Sequence, residues 1–504
     1  MSDHSPEEAP ENKESSGGEI RAGVLVGRSL PAAILIVGLP VLLQQLLGAA
    51  VGLIDKMLAG GLQDAVVVDA MDGLGVGSYV GWFIGIAMAG LGIGGQAIIA
   101  RAIGRGDVDE AERALGQAMA MSLAWGALVG CLAWVLAPFM AALCGLDGPA
   151  ATYLVDYVRT LAWGMPACGL MMVGAMCLVG AGETVQPAII AVVMNLINAA
   201  SSWLLSGATL SMGASAFRSP LGLDWEVGGI AAGTSLGYLV GGLLTLVVLF
   251  RGVRDLQLRL CHLVPLKSMI SRVVRVGVPN FLEGISMWSA NLGVLTIIGY
   301  IATRNMGSIF ANTASDVHMA DPVVGAGLAG AHIIAVQWES FSFLPGFAIG
   351  TAAGALAGQF LGAGNVRMAC RAVWLCVGIA VVLMGVVGIG YIFGGDSLTR
   401  IISDQPRHLQ LVPDLLLICG TTQVFFAVTM VVRQALRGAG DTVWTFLITT
   451  VSCYGIRLPA AWIFGVTMEW GLVGVWIGLC GELAVRAVLF TARFLHGGWA
   501  QRAI

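Results

Sequence analysis

The chain has 504 residues, 57% of them hydrophobic and only 11% charged, with a formal net charge of −4 and a mean hydropathy of +0.85. A soluble domain carries about 25% charged residues, so this composition excludes an ordinary soluble protein. The slightly negative charge offers no basis for a nucleic-acid partner.

Residues 1–29 are polar and rich in Glu, Ser and Pro, which predicts a disordered tail; they lack the positive start and short apolar core of a signal peptide. Twelve apolar runs follow, at 30–54, 74–101, 114–143, 152–181, 185–206, 227–250, 270–302, 323–361, 370–394, 409–437, 442–465 and 470–495. Each is long enough to cross a hydrocarbon core of about 30 Å, and runs of this length are helices rather than barrel strands. Residues 496–504 are left as a C-terminal tail. The ten cysteines show no CxxC or Cys/His spacing and read as small buried hydrophobes, so neither a metal nor a cofactor is expected.

Charge placement orients the spans. With the N-terminus inside, 18 of the 26 Lys and Arg fall on the cytoplasmic side, Arg433 and Arg437 among them. Six fall outside (Lys56, Arg159, Arg218, Arg304, Arg400, Arg407), and Arg457 and Arg486 lie within spans. Positive residues accumulate inside, so both termini are expected in the cytoplasm.

The chain repeats itself. GAGET at Gly180–Thr184 recurs as GAGDT at Gly438–Thr442, and GRGDVDEAERA from Gly104 as GAGNVRMACRA from Gly362, both at an offset of 258 residues. The halves open alike, with GLP at 38–40 and GVP at 277–279, only 239 residues apart. The difference places an insertion at 303–324, on the outer side. Six spans per half return the chain to its starting side, so the halves run parallel, at 30–250 and 276–495, joined by a basic cytoplasmic linker at 251–275. Internal duplication of this kind favours a transporter with a cleft between two bundles that rock. Receptors and channels assembled from several chains have no need of it.

The repeated motifs sit in short turns. Gly182 and Gly440 suit the left-handed conformation that ends a helix, while Glu183, Thr184, Asp441 and Thr442 are placed to cap the next one. A phosphate-binding loop would need a Lys after the last glycine and a preceding strand, and neither copy has them.

An ionised carboxylate at mid-bilayer costs about 3 kcal/mol, so each one needs a reason. Glu482 has Arg486 four residues on and reads as a structural ion pair. Asp55 stands at the outer end of span 1, beside Lys56, and reads either as interfacial or as functional. Glu283, just after Pro279 and without a basic residue one turn away, is the first candidate to carry a coupling proton or cation. Glu339 is a second. Asn195 and Asn198 place two amides in span 5, either for hydrogen bonds between helices or for a polar pathway, and Trp288 is a candidate to line that pathway.

In order and spacing, VGLIDKMLAGG, GRGD, GAGETVQP followed by Asn195 and Asn198, GVPNFLEG, and LRGAGDT then IRLP resemble the multidrug and toxic compound extrusion (MATE) family of secondary transporters. The resemblance covers nearly everything after residue 30. It implies an all-α, V-shaped pair of six-helix lobes in the plasma membrane, monomeric and surrounded by lipid, that exports small organic compounds, cationic or amphiphilic, in exchange for H⁺ or Na⁺. It assigns Asp55 and Glu283 to the family's acids of spans 1 and 7, and Asn198 to its span 5 asparagine. Where some members place an Asp four residues later this chain has Ser202, and a span 10 acid of some members falls near Phe426.

Two alternatives share parts of this pattern. A flippase for lipid-linked oligosaccharides would line its cleft with several arginines for pyrophosphate. A membrane-embedded enzyme would need a catalytic constellation on one face, for which Asp316, His318 and Asp321 in the insertion come nearest.

Overall fold

The computed structural model describes residues 25–63, 66–144, 146–212, 215–221, 223–312 and 327–502. Among these, twelve helices are long and apolar enough to cross a membrane. The N-terminal half contains α1 (Leu30–Gly60), α2 (Val67–Arg105), α3 (Val108–Leu143), α4 (Gly148–Gly180), α5 (Val185–Ser206) and α6 (Glu226–Arg251). The C-terminal half contains α7 (Lys267–Asn312), α8 (Leu328–Gly362), α9 (Val366–Ile402), α10 (Pro406–Gly438), α11 (Thr442–Thr467) and α12 (Gly471–Leu495).

Helix ends follow local chemistry. Pro31, Pro149 and Pro406 occupy first-turn positions, where a missing N–H costs nothing. Gly106, Gly182, Gly364 and Gly440 take φ of +79°, +83°, +77° and +82° at the four repeated turns, a conformation that penalises any Cβ. Within α11 the hydrogen bonding widens to π geometry at Cys453–Arg457 and again at Ile463–Thr467, on either side of a short α segment that holds Pro459. Proline removes a donor from the ladder, one identifiable reason for a slip of this kind.

Helix pairing repeats with a shift of six. In the first half α2, α3 and α4 pack on one another, α5 packs on α1, and α6 packs on α4 and α5; in the second half α8, α9 and α10, α11 on α7, and α12 on α10 and α11 reproduce this. The pairs that join the halves, α1 with α8 and α7 with α2, exchange under the same shift, and α2 meets α8. Glycines make this joint close. A Cβ on Gly104 would run into the carbonyl of Gln359, and one on Gly362 into the carbonyl of Arg101. A Cβ on Gly90 would stand 2.8 Å from Cβ of Phe281. Small residues let backbones approach where lipid gives no hydrophobic drive for helices to associate.

Several boundaries differ from the sequence reading. The helix begun at Leu30 continues past residue 54 to Gly60, so Asp55 lies inside α1 and not at its end; the Asp55–Lys56 pair interrupts the apolar run but not the backbone ladder. The link between α5 and α6 contains a hairpin, β1 (Thr209–Met212) and β2 (Ser215–Arg218), too short to stand out from the apolar spans on either side. The Thr209 N–H donates to the Gly61 carbonyl at 2.7 Å, tying the hairpin to the end of α1. Residues 496–502 are not a free tail: Trp499 is buried and stacks on Phe494 at 4.8 Å, because an indole gains more by covering apolar surface than by hydration. The helix α7 extends to Asn312, into the stretch read as an insertion. Of the rest of that insertion, 313–324 with Asp316, His318 and Asp321 lies outside the described residues, as does most of the N-terminal tail, 1–24.

Candidate functional site

Among the described residues five carboxylates are less than 9% exposed: Asp55, Glu112, Glu283, Asp441 and Glu482. Four have cationic partners. Glu112 meets Arg259 at 3.1 Å, Asp441 meets Arg493 and Arg502, Glu482 meets Arg457 and Arg486, and Glu283 meets Arg437 and Arg433. Asp55 has none, and its Oδ1 is buried with no hydrogen-bond partner. Its sequence neighbour Lys56 is exposed and makes no ion pair with it.

Asp55 faces the interior of the N-terminal half. One turn on, Leu58 and Ala59 join an apolar cluster with Tyr157 of α4 and Ile230 of α6. Polar groups gather on α5 and α6. Asn198 Nδ2 donates to Thr234 Oγ1 at 3.1 Å, and the Ser202 hydroxyl is within reach of Asn198 Oδ1 (3.3 Å) and the Ile230 carbonyl (3.1 Å). Gly233 allows this contact, since a Cβ there would overlap Ser202. Asn195 instead bonds back to the Ala191 carbonyl of its own helix at 2.7 Å, leaving Oδ1 without a partner. Asn198 and Ser202 therefore form one polar cluster, and Asn195 stands apart from it.

The environment of Glu283 on α7 is very different. Arg437 of α10 holds Oε2 at 2.8 Å, Thr445 donates to Oε2 at 3.0 Å and Thr449 to Oε1 at 2.8 Å, both from α11. Arg433 lies farther off, at 3.8 Å. Both arginines, counted on the cytoplasmic side from the sequence, fall in the last turns of α10 with side chains 5% and 12% exposed, so they join Arg457 and Arg486 as enclosed arginines of the C-terminal half. They ended a predicted span, where hydropathy alone cannot tell an interior arginine from one in the headgroups. A four-residue spacing from Arg433 to Arg437 on one helix face was the signal available.

The pairing of Glu482 with Arg486 is present, at 2.6 Å, and is extended by Arg457, which bonds Glu482 at 3.0 Å and Asn291 at 2.9 Å. Glu339 on α8 is half-buried, with no ion pair or side-chain hydrogen bond among the described residues. Trp288 packs edge-on against Phe83 of α2, ring centroids 6.2 Å apart, where the two halves meet; its Nε1 has no partner. Nearby, Ala87, Gly90, Trp125, Val278 and Phe281 line an apolar crevice of about 440 Å³ between α2, α3 and α7.

The repeated turns behave unequally. Glu183 accepts from the N–H groups of Val185 (2.9 Å) and Gln186 (3.2 Å), a cap at the start of α5, whereas the Thr184 hydroxyl donates across to the Ile36 carbonyl of α1. In the second copy Asp441 makes no side-chain cap, because Arg493 and Arg502 take its oxygens, and the Thr442 hydroxyl is unpartnered. Asp107 and Asn365, in the other repeated turn, each accept from the N–H three residues on at 3.0 Å. Among the described residues no group of three or more His, Cys, Asp or Glu is arranged to hold a metal ion.

Comparison with known proteins gives consistent matches. The model of the MatE family matches residues 40–204 and 309–463, one stretch in each half. The chain is 28% identical over 448 residues, 86% of either protein, to the "Probable multidrug resistance protein NorM" of Thermotoga maritima. In three dimensions it is similar to a MOP superfamily transporter from Pyrococcus furiosus, described by a "reverse polarity of binding pocket", with a TM-score of 0.80 at 20% identity over 94% of this chain and 98% of that one. It is similar also to a MATE protein in its bent conformation, with a TM-score of 0.79 at 20% identity, over 94% and 97% of the two chains.

Proposed function

Because the chain belongs to the MatE family of membrane transporters, which are not enzymes, we propose that it is an antiporter exporting organic, cationic or amphiphilic compounds by alternating access, driven by entry of H⁺ or Na⁺. The observation that carries this reading is the isolation of Asp55. Burying a carboxylate without a counter-charge is costly, and the cost is tolerable where the group takes up and releases a proton or cation as part of its work. Cargo and ion then compete for one acid, and each favours the conformation it binds better. The cluster of Asn198, Ser202 and Thr234 supplies polar groups in the same half.

In this reading Glu283 anchors α7 to α10 and α11, its charge already satisfied. Glu339 is the second candidate for ion coupling, and Trp288 and the apolar crevice border the path of the cargo. The face carrying the repeated turns is cytoplasmic, with both termini on it, and the membrane is the plasma membrane. One chain contains both halves, so a monomer in lipid suffices. An ion entering down about 100 mV releases about 2.3 kcal/mol, enough for roughly fifty-fold uphill export of a neutral compound.

A flippase for lipid-linked oligosaccharides is the second reading, favoured by the four interior arginines. It ranks second because Glu283 and Glu482 already engage three of them closely. Transport of a fluorescent organic cation by the purified protein in vesicles, with pH and Na⁺ gradients imposed separately, tests the proposal. Movement driven by one of the two gradients is expected; a cation that moves under neither overturns it.

A further inference from the structure

The interior of the C-terminal half holds more positive charge than its acids balance, and the surplus is concentrated on one side chain. Arg433 of α10 is 5% exposed. Its Nη1 lies 3.2 Å from the Met287 sulfur and its Nη2 3.5 Å from that of Met430, while Nε is buried without a partner. Thioethers are weak acceptors, and a guanidinium presents five N–H donors in a planar fork. The nearest carboxylate oxygen, on Glu283, is 3.8 Å away and already accepts from Thr449, with Arg437 on the other oxygen. Arg437 and Arg486 add positive charge around it. A buried cation with so little compensation calls for an anion.

We propose that Arg433 is a second binding site, which takes the carboxylate of a zwitterionic or acidic cargo; the proposal rests on the export reading above and names part of its substrate class. A carboxylate matches the guanidinium fork through two parallel hydrogen bonds, replacing the two sulfur contacts. Met287 and Met430 are flexible side chains that move aside at little cost. Ser286, hydrogen-bonded to Thr450 at 3.1 Å, is the polar neighbour one residue before Met287, and both Ser286 and Met287 are only half-buried. With an unpaired acid at Asp55 in one half and an under-compensated arginine in the other, the protein is built for cargo bearing both charges.

A rhodamine methyl ester and the same dye as its free carboxylic acid form a matched pair, a cation and a zwitterion. Binding of each to the purified full-length protein is read by fluorescence anisotropy, and transport of each in vesicles. Wild type is expected to bind and move both. Arg433→Gln is expected to lower the acid-to-ester ratio about tenfold, the order expected for a lost charge-assisted pair, and Arg433→Lys to restore most of it. A ratio unchanged in the monodisperse Gln variant, or one lowered as far in the Lys variant as in the Gln variant, overturns the site and leaves Arg433 as packing for Glu283. Wild type that moves the ester but neither binds nor moves the acid overturns the site alone; wild type that moves neither dye overturns the export reading with it.

Discussion

The guanidinium of Arg502 reaches back 61 positions to the carboxylate of Asp441, its Nε donating to Oδ1 at 3.1 Å. Arg493 takes the other oxygen at 2.8 Å, and Trp499 seats the intervening chain against Phe494. From the other half, Arg101 of α2 donates to the Ala439 carbonyl at 2.8 Å and to the carbonyl of Arg502. The chain end is thus a strap across the joint between the halves. Asp441→Asn removes the shared acid and leaves Arg493 largely buried without its partner, a loss of about 3 kcal/mol. Thermal unfolding followed by tryptophan fluorescence in detergent should show a lower Tm, and an unchanged Tm would count against the strap.

The same joint depends on glycine. Valine at Gly104 would collide with the backbone of Gln359 on α8, and backbone cannot move aside as a side chain can. Gly104→Val is therefore expected to push the halves apart at this face, whereas Gly85→Ala, on the same helix with nothing within 4 Å, should leave them in place. With native cysteines replaced, spin labels at the exposed positions Asp109 and Arg367 report the separation. Longer distances in both variants, or in neither, would show that close glycine packing does not set the joint.

Two acids in α1 and α7 should respond in opposite ways to loss of charge. Asp55 has no ion-pair partner among the described residues, so Asp55→Asn is expected to keep Tm within about a degree, since no buried pair is broken, while coupled export falls to background. Glu283→Gln leaves Arg437 and Arg433 facing each other and should cost about 3–5 kcal/mol, seen as a lower Tm, with partial recovery when Arg437→Met is added. Gradient-driven dye transport and thermal unfolding on the same preparations separate the two effects. A stable Glu283→Gln protein without transport would return the coupling role to Glu283.

Much of this architecture is legible in the chain itself. Span length, the GRGD and GAGET turns and their second copies are local properties, and the left-handed glycines at 106, 182, 364 and 440 follow from turn chemistry alone. Asp107 and Asn365 cap as their residue types suggest. The second GAG turn departs because Asp441 is captured by arginines from residues 493 and 502, which no local rule anticipates. The site was readable as a short set of candidate acids, but the partners of each were not. Glu283 looked unpaired because its partner Arg437 is 154 positions away, and Asp55, beside the exposed Lys56, read equally well as an interfacial residue.

By itself the sequence determined a membrane protein of twelve helices in two parallel copies, because hydrocarbon thickness sets helix length and a duplicated pattern carries its own offset. Only the tertiary structure decided which buried charges are neutralised. Charge compensation acts over a few ångströms of space, and residues that close are brought together by the packing of helices far apart in the chain. Among the described residues, that packing leaves Asp55 without a cation and Arg433 sharing Glu283 with the closer Arg437, and the proposed chemistry follows from those two residues.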